Sequence, residues 1–122
     1  METRLYFIAG DVLANAGAGA GAVVVCTALL GETWPPAAMI LGMIIGGAVA
    51  MLLGMLASLL FGAFEVMLPV MTTGMLAGMM ASMQAVPVNV AATRGAVAGI
   101  GILVVTYLLN ARLRRETGPW TR

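Results

Sequence analysis

Residues 38–57 read AMIL GMII GGAV AMLL GMLA, an apolar run that repeats every four residues and carries no charge. About 20 apolar residues are needed for an α-helix to cross the hydrocarbon core of a membrane, which is about 30 Å thick. The run therefore predicts a transmembrane helix. On such a helix, residues four apart lie one above the other along a single ridge.

The same four-residue phase continues in residues 66–85, which read VMLP VMTT GMLA GMMA SMQA. Methionine holds the second place in nine of the twelve groups of four between residues 38 and 85. Two helices thus each carry a methionine ridge beside a ridge of small residues. The nine methionines are Met39, Met43, Met51, Met55, Met67, Met71, Met75, Met79 and Met83.

The composition excludes a water-soluble domain. Of the 122 residues, 61% are hydrophobic and 9% are charged, against about 45–50% and about 25% in soluble domains. High hydrophobicity also excludes intrinsic disorder. The single cysteine and the absence of histidine argue against a zinc site within one chain. A net charge of +1 does not provide the strongly basic surface that nucleic-acid binding requires.

Four apolar runs predict an all-α integral membrane protein, a single transmembrane domain over residues 1–122. We expect four helices at about 5–30, 37–64, 66–86 and 93–111, packed as a tight Gly/Met-rich bundle, followed by a basic tail at 112–122. Four of the six arginines follow the last helix. Because positive charge stays on the cytoplasmic side, both termini are expected in the cytoplasm, and the membrane is expected to be a bacterial inner membrane.

The glycines predict close helix packing. Lipid tails are as apolar as leucine, so membrane helices associate through close backbone approach and van der Waals contact. Flexible methionine fills the irregular gaps that remain. This interpretation makes the chain a non-catalytic assembly subunit of a homo-oligomer or of a larger membrane complex. The glycines expected at helix contacts are Gly17, Gly21, Gly42, Gly46, Gly54, Gly74, Gly78, Gly95 and Gly99.

The nine methionines also permit a soft-metal hypothesis. A thioether is a neutral, soft ligand that suits Cu(I), and a ladder of weak sites favours passage of an ion. Met71, Met75 and Met79, together with Gly95 and Gly99, resemble the Ctr-type copper transporters. Those proteins combine Met-x-x-x-Met in one membrane helix with Gly-x-x-x-Gly in another. The resemblance implies Cu(I) as the ion handled, although this chain has four expected spans rather than three and no Met-rich extramembrane segment.

Three polar residues in or beside the spans form a separate candidate site for an ion or a proton. Asp11 lies about 9 Å into the first helix at 1.5 Å per residue, and Asn15 lies one turn deeper on the same ridge. Ionisable residues inside a bilayer are costly and often functional. Asp11 is therefore either a proton or cation site or an interfacial acid bonded to a neighbouring helix. Glu65 either begins the third helix or acts as a gate ligand or proton carrier.

Four spans in so short a chain, with one acid in the first span, are similar to the small multidrug resistance transporters. That resemblance implies proton-coupled export. The family's essential Glu lies in the middle of the first helix among aromatic residues, whereas here the acid is Asp11 and no Trp or Tyr is expected deep in a helix. No histidine, paired carboxylates or phosphate-binding loop occurs in the sequence, so we expect no enzyme activity.

Overall fold

The computed structural model describes residues 5–30, 35–61, 67–83 and 86–116, and this part of the chain contains four α-helices and no strand. The helices are α1 (Leu5–Leu30), α2 (Pro35–Phe61), α3 (Met67–Ser82) and α4 (Val88–Glu116). The all-α class and the number of helices expected from the sequence are confirmed. Glu65 lies outside the described residues, so its expected role stays a prediction.

The lengths of α3 and α4 differ from the expectation. We expected the fourth helix to be the shorter one, but α4 has 29 residues and α3 has 16. At 1.5 Å per residue α3 is about 24 Å long, less than the hydrocarbon thickness of about 30 Å. The first helix has the expected bounds. The second begins at Pro35, two residues early, because proline suits the first turn of a helix.

The start and end of α4 correct the expected range of 93–111. The helix begins at Val88, where the backbone N–H of Ala91 donates to the carbonyl oxygen of Pro87 at 2.9 Å. At the other end it continues through Arg114 and Arg115, residues that we had assigned to the tail. Arginines at a helix C-terminus interact favourably with the helix dipole, and polarity does not end a helix that has left the bilayer.

The helices run alternately up and down. Contacts between residues of α1 and α4, such as Gly19 with Gly95 and Asp11 with Tyr107, show that these helices are antiparallel. Gly42 with Gly78 and Gly46 with Gly74 show the same for α2 and α3. Helices α1 and α3 occupy the centre, whereas α2 and α4 lie on opposite sides and barely meet. The start of α1 and the end of α4 therefore lie at the same end of the bundle.

The exterior of the bundle is apolar. Three helices are long and apolar enough to span a membrane, at Leu5–Leu30, Pro35–Leu60 and Val88–Arg115, which indicates a membrane protein. The interior is formed mainly by small side chains, and large ones such as Leu59 (82% exposed) point outward. The buried apolar residues are Ala18, Ala22, Val23, Cys26, Leu30, Ala38, Ala50, Val70, Ala77, Ala81, Ala91 and Leu103.

Candidate functional site

Glycines bring the backbones of α2 and α3 into direct contact. A Cβ atom added at Gly46 would overlap the carbonyl oxygen of Gly74, and one added at Gly78 would overlap that of Gly42. Such overlap is with backbone, which cannot rotate away. The four glycines thus let two helices approach more closely than any side chain would allow, as close packing in membranes requires. Further along the same contact, Gly54 faces Val70.

Glycines also join α1 to α4. A Cβ at Gly95 would overlap the carbonyl oxygen of Gly19, and one at Gly99 would overlap that of Asn15. Gly21 faces Leu53 of α2 instead. Gly17, which we expected at a helix contact, is exposed, and its Cβ position has no described atom within 4 Å. Gly19 is the glycine of α1 that contacts α4, because the side of α1 that carries Gly19 faces α4 and the side that carries Gly17 does not.

Polar side chains form a hydrogen-bonded chain across three helices. The Tyr107 hydroxyl of α4 donates to Oδ2 of Asp11 on α1 at 2.5 Å. One turn deeper, Nδ2 of Asn15 donates to the Asp11 backbone carbonyl at 2.9 Å, and the Thr73 hydroxyl of α3 donates to Oδ1 of Asn15 at 3.0 Å. Asn15 and Thr73 are fully buried, and Asp11 is 6% exposed. We call these four residues the polar network.

The polar network satisfies its own buried groups. No buried side-chain nitrogen or oxygen in the described residues lacks a hydrogen-bond partner. Within the same residues, no three His, Cys, Asp or Glu side chains gather as a metal site. Asp11 and Asn15, which the sequence placed on one ridge, are therefore together in the structure, and each bonds to a neighbouring helix. The expected role of Asp11 and Asn15 in holding an ion or a proton stays a prediction.

The two methionine ridges lie on the same side of the α2–α3 pair. On α3, Met71, Met75 and Met79 each follow a buried residue by one position, while Thr73 on the other flank packs toward α1. On α2 the flank opposite the methionines packs toward α1 through Leu53. The methionine side therefore faces away from α1. We call it the methionine face: Met39, Met43, Met51 and Met55 of α2, with Met67, Met71, Met75, Met79 and Met83 of the α3 segment.

Met75 of α3 packs against α2 at the position where the four-residue methionine spacing of α2 is interrupted by Gly47. Gly47 stands where the α2 ridge lacks a methionine, and the Met75 side chain lies over it, with Cγ 3.1 Å from the Cβ position of Gly47. Because residues four apart are stacked neighbours, Met75 lies between Met43 and Met51. These three side chains are 36–43% exposed. They bring three thioethers to one part of the methionine face.

Sequence reasoning missed two members of the polar network and one sulfur contact. Thr73 is not among the polar residues that the sequence singled out, and its neighbour Thr72 donates within α3 to the carbonyl oxygen of Pro69 at 2.9 Å. Tyr107 lies nine residues before the end of α4, at the level of Asp11 near the start of α1. Its depth, matched to Asp11 by antiparallel pairing of the first and last helices, was the available signal. The Cys26 thiol donates to the Gly42 carbonyl oxygen at 3.4 Å.

Comparisons with protein-family models, with curated proteins and with solved structures found no match to this chain.

Proposed function

We propose that the chain is a non-enzymatic, four-span protein of a bacterial inner membrane, with both termini in the cytoplasm, that assembles with further copies of itself through the methionine face. The observation that carries this proposal is that the glycine ridges and the methionine ridges have different surroundings. The glycines of α2 and α3 are used within one chain. The methionines beside them remain on the outer side, with Met43, Met51 and Met55 at 40–49% exposure.

The chemistry of the methionine face suits helix association. Methionine is flexible and polarizable, so a methionine surface adapts to a partner's contour. Its ridges follow four-residue spacing on both helices, the spacing by which ridges of one helix fit the grooves of another. Because the methionines have the same spacing on two antiparallel helices, the methionine face can pack against the same face of a second copy related by a two-fold axis. The bilayer surrounds the remaining apolar surface.

Subunit counting by single-molecule photobleaching in liposomes tests the proposal. We expect the wild-type chain to bleach in more than one step. The Met51→Trp/Met55→Trp variant places two bulky rings on the methionine face and should shift the distribution to single steps. The control is Val104→Trp/Leu108→Trp, the same change at the same spacing on the outer side of α4, where side chains are 51% and 64% exposed. It should keep the wild-type distribution.

Two outcomes contradict this proposal. The first is a wild-type chain that bleaches in one step at every protein-to-lipid ratio. The second is a methionine-face variant that keeps the wild-type distribution while its helical circular dichroism is unchanged. Either result removes self-association through this surface.

A second candidate function is the binding of a soft monovalent ion such as Cu(I), supported by the position of Met75 between Met43 and Met51. Thioethers bind Cu(I) without losing a proton, so a site of three would work inside a bilayer. A half-exposed surface also lets an ion enter and leave, which a conduit requires. In this reading an oligomer would bring such clusters from several chains around one axis.

Titration of the purified protein with Ag(I), a redox-stable probe for Cu(I) sites, tests this candidate. The variant Met43→Leu/Met51→Leu/Met75→Leu should lose binding at least tenfold. The control carries the same number of changes at the ends of the methionine face, as Met39→Leu/Met67→Leu/Met83→Leu, and should bind as the wild type does. Equal binding by the two variants, or none by the wild type, would count against a metal role and leaves the assembly proposal standing.

A further inference from the structure

The helices differ in the length of apolar surface that they present to a bilayer. Helices α1 and α2 have 26 and 27 residues, or about 39–40 Å at 1.5 Å per residue. The polar residues Asp11 and Asn15 of α1 are buried against α4 and α3, so exposed apolar side chains continue from Leu5 to Leu29. The side of the bundle that α1 and α2 form, the α1–α2 side, is therefore longer than a hydrocarbon layer of about 30 Å.

Helices α3 and α4 present a shorter apolar surface, the α3–α4 side. Helix α3 has 16 residues, or about 24 Å. The first two turns of α4 expose three polar residues, Asn89, Thr93 and Arg94. After them, residues 95–111 carry no charge until Arg112, and at helical rise this stretch is about 26 Å long. The α3–α4 side is therefore shorter than both the hydrocarbon layer and the α1–α2 side.

The contact between Gly19 and Gly95 fixes the depth of these polar turns. Because α1 and α4 are antiparallel, Arg94 lies level with Ala20 of α1, about 15 Å before the end of α1 at Leu30. Arg94 has an interaction partner in the structure and is still exposed. An arginine at such depth, paired or not, draws water and headgroups toward it. Polar surface on α4 thus begins well below the end of the neighbouring helix.

We propose that the α3–α4 side faces a locally thinned hydrocarbon layer and gathers short-chain phospholipids, whereas the α1–α2 side faces long-chain ones. A hydrophobic stretch shorter than the hydrocarbon layer thins the bilayer around it, and a longer stretch tilts or thickens the bilayer. Tilting the whole bundle shortens both sides together, so it does not remove the difference. In a membrane of mixed chain lengths the protein then lies where a thinner region meets a thicker one. The exposed side of α4 is not part of the methionine face, so lipid preference and self-association are measured separately.

Tryptophan reporters quenched by brominated phosphatidylcholine test the two sides separately. In a Trp34→Phe/Trp120→Phe background, Val104→Trp places a reporter near the middle of the uncharged stretch of α4, and Leu52→Trp places one on α2. Both positions are more than half exposed. Quenching in mixtures of 14-carbon and 18-carbon phosphatidylcholine, one of them brominated, measures which lipid each side prefers. We expect at least a twofold preference for the 14-carbon lipid at Val104→Trp and for the 18-carbon lipid at Leu52→Trp.

Lengthening the apolar stretch of α4 tests the cause of the preference. Thr93→Val/Arg94→Leu extends that stretch back to residue 90, which adds about 7.5 Å. The preference at Val104→Trp should then move to the 18-carbon lipid. The control Arg114→Leu also removes one arginine, but Arg112 still bounds the stretch, so the 14-carbon preference should remain.

Four outcomes contradict this proposal. The first is an equal lipid preference at the two reporters. The second is a 14-carbon preference at Val104→Trp that survives the lengthening of α4. The third is an 18-carbon preference at both reporters, which would mean that Arg94 extends to the headgroups without thinning the bilayer. The fourth is a lengthened variant in which Leu52→Trp loses its 18-carbon preference, because the effect would then not belong to the α3–α4 side.

Discussion

The α2–α3 contact and the α1–α4 contact are both antiparallel and both rest on glycine, yet they are built differently. Between α2 and α3, Gly42 and Gly46 meet backbone and no side-chain hydrogen bond joins the two helices in the part of the chain described. Between α1 and α4, the glycine contact is joined by the bond from Tyr107 to Asp11. The first contact is held by shape alone, and the second adds a directional bond.

This difference has a physical reason. Van der Waals contact between helices is strong when two backbones touch but tolerates sliding along the ridge by one repeat. A hydrogen bond with fixed donor and acceptor does not tolerate such sliding. Buried polar groups in a membrane must find partners, so the polar network fixes the register of α1 against α3 and α4. Between the described parts of α2 and α3 no side-chain hydrogen bond fixes the register, so the register depends on breaks in the four-residue repeat such as Gly47.

The largest expected effect is on the contact held by shape alone. Gly46→Leu places a side chain on the backbone of Gly74, and we expect it to destabilise the bundle by about 3 kcal/mol, the upper end of typical overpacking costs. The measurement is denaturant unfolding in detergent micelles followed by circular dichroism. The control Gly17→Leu adds the same side chain in open space and should be neutral or slightly stabilising, because leucine is a better helix former than glycine. Equal effects of the two changes would refute the close approach at Gly46.

A smaller loss is expected at the contact that has both glycine and hydrogen bond. Gly99→Ala puts a methyl group on the Asn15 carbonyl oxygen, and separating α1 from α4 there should cost about 2 kcal/mol. The control is Gly101→Ala, whose Cβ position has no described atom nearby. Because alanine is the better helix former by about 0.5–1 kcal/mol, the control should be neutral or stabilising. The same unfolding assay gives both values, and a stabilising Gly99→Ala would contradict the contact.

The smallest effect is expected from a single hydrogen bond of the polar network. Thr73→Val removes the donor to Asn15 with little change of shape and should cost about 1 kcal/mol. Thr72→Val is the matched control, because Thr72 bonds only to carbonyl groups of its own helix, at Leu68 and Pro69. Its replacement should cost a few tenths of a kcal/mol. If Thr72→Val proved the more damaging change, the register role of the network would be wrong.

Much of the fold was predictable because the relevant signals are local. Apolar length gave the first helix with the observed bounds. The fourth helix was underestimated because apolar length measures the part of a helix in lipid, whereas backbone hydrogen bonding continues through Arg114. In α3 the opposite holds, because the apolar run that predicted a helix to residue 86 continues past Ser82, where the helix ends.

The candidate site was less predictable because it depends on which helix faces meet. The alternation of Gly and Ala in residues 16–22 offers several small faces on α1, and the spacing between Gly17 and Gly21 does not favour the Gly19 ridge over them. Asp11 and Asn15 were found from their polarity alone. Their partners Thr73 and Tyr107 lie 58 and 96 residues away along the chain, and only the packing of α3 and α4 brings them near.

The contact at Gly42, Gly46, Gly74 and Gly78 restricts which substitutions this sequence can accept during evolution. No amino acid is smaller than glycine, so any substitution at these positions can only push α2 and α3 apart. A change on one helix cannot be repaired by a smaller residue on the other. Related chains should therefore vary freely in their outward-facing leucines and change these four positions last.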